Sequence, residues 1–189
     1  MARNTADDTG TNTLTRAKPR SAGRVYDQPD SFGWLSIALH WLSAVIIIAM
    51  WIIGQNISAQ ADGSPDGYRQ LHITLGLSAW LLLAGRIVWR ARVPHPRSAG
   101  VGDRTHRFAR AFHYVMLALL TLLILSGPLV AWTVTPAPIG AAAYTVHRNA
   151  GNAMFVLVVL HILGALKHLM FHHDDSIVRM LWPKRPTDS

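Results

Sequence analysis

Four apolar runs separated by short polar stretches dominate the chain. A polar leader of 33 residues precedes Trp34 to Gly54, 21 residues interrupted only by one histidine and a few small polar groups. Leu71 to Trp89, Phe112 to Val134 and Ala150 to Phe171 follow. At ~1.5 Å per residue, each run can cross the ~30 Å hydrocarbon core of a bilayer. The pattern predicts an all-α, integral membrane four-helix bundle over residues 32–183. The connecting stretches read as loops: Gln55–Gln70 is small and polar, Arg90–Ala111 is rich in arginine, and Thr135–Val146 holds Pro136, Pro138 and Gly140. Residues 1–31 read as a disordered basic cytoplasmic tail with no signal-peptide apolar segment, and 184–189 as a second tail.

Composition supports a membrane protein over a soluble domain. Half of the residues are hydrophobic and 15% are charged, against roughly 25% in soluble domains. Cysteine is absent, which excludes disulfides, thiolate zinc sites, iron–sulfur clusters and c-type haem attachment. The formal charge of +8 does not indicate nucleic acid once its distribution is followed. Fourteen of the 18 basic residues fall in the leader, the second loop and the C-terminal segment, whereas only Arg69 and Arg148 fall on the opposite side. The positive-inside rule then predicts a multi-pass protein of the bacterial cytoplasmic (inner) membrane with both termini cytoplasmic.

Ionisable residues within membrane spans are costly and tend to be functional. His40 lies 14 residues before Gly54, and His161 lies 14 residues after His147. Each is therefore ~21 Å below the outer end of its helix, while His72 and His147 start their runs at the outer face. The pattern is two histidine pairs at two depths, His40 with His161 and His72 with His147. No acidic residue lies within any run, so a zinc or copper site with three or four protein ligands is poorly supplied. A b-type haem needs two axial imidazoles, and two would stack about 20 Å apart. His168, seven residues beyond His161, is a rival ligand. His113 reads as interfacial, and His95, His106, His172 and His173 as loop or interface residues. A small histidine-lined metal transporter is the non-haem alternative.

The residues carry a family resemblance. Ile37-Ala38-Leu39-His40-Trp41-Leu42 resembles the first-helix signature of the prokaryotic cytochrome b561 family. Leu71-His72-Ile73-Thr74-Leu75-Gly76 and Ala84-Gly85-Arg86-Ile87-Val88-Trp89-Arg90 resemble the start and exit of its second helix. His147, His161 and His168 are spaced like its fourth helix, and Asp174 to Pro183 resembles its closing segment. The resemblance spans about Phe32 to Arg185. It implies two haems b (iron), ligated by His40 with His161 and His72 with His147, in a lipid-embedded cytochrome. It further implies electron transfer from superoxide or another periplasmic-side donor to the quinone pool, with ubiquinone as acceptor. The alternative is an electron-carrier or membrane-anchor subunit serving a redox protein partner. No catalytic residue is assigned.

Secondary candidates accompany the histidines. Arg69 and Arg148, near the outer pair, read as cofactor-binding through haem propionates or as attractors of an anion. Arg86 could serve the inner propionates or anchor its helix. Gly76 could leave room for a flat macrocycle or for close helix packing. Trp41 could line a pocket, with core packing as its other use. Trp34, Trp89, Trp132 and Trp182 fit an aromatic belt.

Overall fold

The structure, a computed structural model, describes residues 25–27, 31–57, 67–93, 103–132, 136–167, 169–170 and 180–181. Its described residues form four helices: α1 (Trp34–Gln55), α2 (Gly67–Arg92), α3 (Asp103–Ala131) and α4 (Ala137–Lys167). All four are long and apolar enough to cross a membrane. Large apolar side chains such as Leu81, Val45 and Leu125 are 77%, 64% and 58% exposed on their outward faces, as a bundle solvated by lipid requires. α3 packs most extensively on α4, and α1 on α2.

Helix α4 begins well before the run that predicted it. Its first turns contain Pro138 and Gly140, read from the sequence as loop residues. Proline is tolerated in a first helical turn, where its missing N–H has no intrahelical partner anyway. Ala141, Ala142 and Ala143 then carry the helix forward. His147 therefore lies ten residues inside α4 rather than near its start. α3 likewise starts at Asp103 instead of Phe112, because its arginine-rich first turns are helical although too polar to lie in hydrocarbon.

Pro128 falls inside α3. It cannot donate to the carbonyl four residues back, that of Ile124. The Trp80 indole Nε1–H from α2 donates to that carbonyl instead, at 2.9 Å, so the proline costs no orphaned acceptor. Trp80→Phe is expected to lower stability by about 1–3 kcal/mol, the range for an unmet buried acceptor. The same change made with Pro128→Ala, which restores the backbone donor, should cost markedly less. Equal losses in a thermal-unfolding comparison would refute this account. Spare hydroxyls within the spans are satisfied in the same economical way: Ser43, Ser78 and Thr121 donate to carbonyls four residues earlier.

Residues 1–24 and 28–30 lie outside the described residues, and Val25–Asp27 packs against the bundle. The Leu35 N–H donates to the Val25 carbonyl at 3.1 Å, and Tyr26 stacks on Trp89 with ring centres 6.0 Å apart. Asp27 accepts from the Gly33 N–H at 2.9 Å and pairs with Arg90 at 2.6 Å. Gly33 permits this closeness, since a β-carbon there would lie 2.4 Å from the Tyr26 backbone. At the other end of the chain, the Trp41 indole donates to the Met180 carbonyl at 2.7 Å. That contact fastens residues 180–181 to α1.

Candidate functional site

The inward face of each helix repeats on one spacing. α1 contributes His40, Ile47 and Gly54, and α2 contributes His72, Ala79 and Arg86. α3 contributes His113, Leu120 and Gly127, and α4 contributes His147, Met154 and His161. Successive members are seven residues apart, the interval that keeps side chains on the seam of a left-handed bundle. The middle members share one apolar cluster in which Met154 is 2% and Leu120 3% exposed, with Ile47 and Ala79 packed against it. The end members form two polar sites, one at each end of that layer. They are about 21 Å apart along α4 by helix rise.

One site pairs His72 with His147, whose ring centres are 6.1 Å apart and whose planes cross at 82°. The two other helices present glycine here. A β-carbon at Gly54 would stand 3.2 Å from His72 Cε1, and one at Gly127 3.4 Å from His147 Cε1. Ser126 fixes the His147 tautomer. Its hydroxyl proton goes to the Leu122 carbonyl at 2.6 Å, so its oxygen accepts from His147 Nδ1–H at 3.0 Å. Nε2 is left with a free lone pair. His72 Nδ1 is buried and meets no partner in hydrogen-bond geometry, although the Met50 carbonyl is near it.

The second site pairs His40 with His161, again with ring centres 6.1 Å apart and planes at 62°. Its other helices present Arg86 and His113 instead of glycine. An Arg86 Nη2 lies 3.2 Å from His40 Nδ1. The His113 ring meets His161 edge-on at 5.0 Å, and its Nδ1 is engaged by the Ala109 carbonyl at 2.6 Å. Phe112 stacks on His161 at 6.3 Å. His113 therefore belongs to this site, which the interfacial reading missed. The signal was available: it stands 14 residues before Gly127, as His147 stands before His161.

Both pairs suit a metal ion held between opposed rings. Two imidazole nitrogens bonded to one ion at about 2 Å each set the ring centres about 6 Å apart, and rotation about that shared axis leaves the planes free to cross. At 5.0 Å, His113 and His161 are too close for this. Among the described residues no three histidine or acidic side chains converge on a point that could hold a metal. An ion seated in either pair therefore finds no third histidine or acidic ligand among the described residues.

The other candidates separate. Arg69 and Arg148 are both exposed, Arg148 next to His147, and neither has an ion pair among the described residues. No imidazole lies beside Gly76, where a β-carbon would meet Met50 Cε at 3.0 Å, so α1 and α2 pack closely there. Trp41 packs edge-on to His40, with ring centres 5.6 Å apart. The side chains of His95, His106, His168, His172 and His173, and Trp182, lie outside the described residues.

Comparisons with known proteins agree with this architecture. The family model described as prokaryotic cytochrome b561 matches residues 31–183. The chain is 30% identical over 173 residues to cytochrome b561 homolog 2 of Escherichia coli, covering 81% of this chain and 92% of that protein. It is 28% identical over 166 residues to cytochrome b562 of Cereibacter sphaeroides, covering 83% and 99%. It is 23% identical over 174 residues to cytochrome b561 homolog 1 of Escherichia coli, covering 82% and 98%.

Proposed function

The chain belongs to the prokaryotic cytochrome b561 family of membrane haem b electron-transfer proteins, and from that premise we propose that it carries two haems b and moves electrons across the bacterial cytoplasmic membrane. The observation that supports this reading is the pair of imidazole couples, each with ring centres 6.1 Å apart. A tetrapyrrole supplies the four ligands that protein does not, and the bound iron supplies a one-electron couple.

In this reading His72 and His147 hold one haem, and His40 and His161 the other. Ser126 keeps His147 in the tautomer that offers Nε2 to a metal. Gly54 and Gly127 keep the flanks of the first pair open, where any larger side chain would press on the rings. The apolar layer around Met154 excludes water between the two centres. The 14-to-2 distribution of basic residues sets both termini in the cytoplasm and the His72–His147 centre towards the periplasm. Electrons enter there from superoxide or another periplasmic-side donor and leave to the quinone pool, with ubiquinone as acceptor. Arg69 and Arg148 are the basic residues on that face, and they favour an anionic donor. Their contribution is to encounter rate, and it fades with salt over a Debye length of ~8 Å.

Two measurements test the reading. The purified protein should contain two haems b per chain by haem extraction; a colourless protein would refute it. Stopped-flow mixing with superoxide should reduce the haem, and excess ubiquinone should reoxidise it. Arg69→Gln with Arg148→Gln should slow the reduction several-fold at low ionic strength and flatten its salt dependence, with haem content intact. An unchanged rate and salt slope would remove superoxide steering and leave an electron carrier fed by another redox protein.

A further inference from the structure

The two sites are built from the same positions on the same four helices, yet their charge differs. At the His72–His147 site the non-pairing helices bring Gly54 and Gly127. At the His40–His161 site they bring Arg86 and His113. Arginine stays protonated in proteins and can only donate. A half-buried guanidinium thus faces the back of one imidazole, at 3.2 Å from His40 Nδ1. The corresponding nitrogen of His147 faces a neutral hydroxyl that accepts its proton.

The neighbouring cation is already balanced. Arg90 is paired with Asp27 at 2.6 Å, and the two side chains are 11% and 3% exposed. Arg86 has no carboxylate partner among the described residues. An Arg86 Nη2 stands 3.2 Å from His40 Nδ1, so its charge would act through space on whatever that ring holds. Groups behind a metal-bound imidazole tune the metal through it. A ligand that donates Nδ1–H to an acceptor gains electron density and favours the oxidised ion, whereas a fixed positive charge favours the reduced one.

We infer that Arg86 is a positioning residue that raises the reduction potential of the His40–His161 centre above that of the His72–His147 centre. This rests on the two-haem reading above. With a haem at each pair, this ordering would favour the electron on the His40–His161 centre over the His72–His147 centre. The repeat of the bundle makes the two centres alike, and an arginine from α2 at one, where the other has a glycine from α1, makes them differ in charge.

The test is a redox titration of the full haem-loaded chain in detergent or nanodiscs, followed by absorbance. Wild type should give two one-electron waves, and His72→Ala, retaining the other centre, identifies the upper one as that of His40 and His161. Arg86→Gln should shift this upper wave to lower potential and leave the lower wave in place. Arg86→Lys, which keeps the charge, should restore most of the shift. Asp27→Asn, which leaves Arg90 unbalanced, should move the same wave upward and reads the field even if Arg86→Gln does not assemble. An upper wave that stays in place or rises in Arg86→Gln, with both haems bound, overturns the role of Arg86. A wild-type protein holding a single haem overturns the two-haem reading instead.

Discussion

Replacing His72 or His147 by alanine should yield a protein with one haem b per chain instead of two, and replacing His40 or His161 should do the same at the other centre. The sites share no ligand and are about 21 Å apart by the rise of α4, with the Leu83–Leu120–Met154 cluster between them. Loss of one centre therefore should not empty the other. His113→Ala provides the sharpest control. Its ring is 5.0 Å from His161, too close to share an ion with it, and its Nδ1 is held by the Ala109 carbonyl. It should retain both haems with only a perturbed environment at one. Haem per polypeptide, by extraction against amino-acid analysis, decides the matter. Full occupancy in His161→Ala would move the ligand to another histidine, with His168 the first to examine.

The spans and the histidine pairs were legible in the sequence for one reason: a bilayer imposes a long apolar run, and an imidazole inside such a run stands out against it. His147 and His161 were seen to share a face of one helix. The same 14-residue interval on α1, α2 and α3 was harder to see because its other ends are Gly54, Arg86 and Gly127, residues with ordinary structural uses. His113 was set aside for a similar reason, since it lies among arginines near the end of a span. The start of α4 was obscured by Pro136, Pro138 and Gly140, which signal a break in an average sequence but are compatible with a first helical turn. The role of Trp80 beside Pro128 depends on a contact 44 residues away in the chain, and no local pattern encodes it. The Asp27–Arg90 pair spans 63 residues and was likewise hidden in what reads as a charged, aromatic-poor leader.

That pair carries the second large expectation: Asp27→Ala should cost about 2–4 kcal/mol, somewhat below the 3–5 kcal/mol typical when one partner of a buried ion pair is removed. The Asp27 side chain is 3% exposed, and its loss abandons two donors at once, the Arg90 guanidinium and the Gly33 N–H that opens α1. The reduction follows from what Arg90 keeps. It remains within 3.4 Å of the Ser36 hydroxyl and 5.7 Å from the Phe32 ring centre, and it lies near the end of α2, from which its head group can reach water. Asp27→Asn should be milder, because an amide oxygen still accepts from Gly33. Gly33→Ala should resemble Asp27→Ala without touching either charge, since its β-carbon would displace the Tyr26 backbone. The damage should stay local to the contacts of Val25–Asp27 with Gly33, Leu35 and α2. Trypsin should then cut faster within the leader, while haem content remains at the wild-type value until the unfolding temperature is approached. A double change with Arg90→Met separates the ion pair from the Gly33 contact: if the pair is the cause, Asp27→Ala should cost far less in that background. Equal costs in both backgrounds would assign the stability to the Gly33 contact alone.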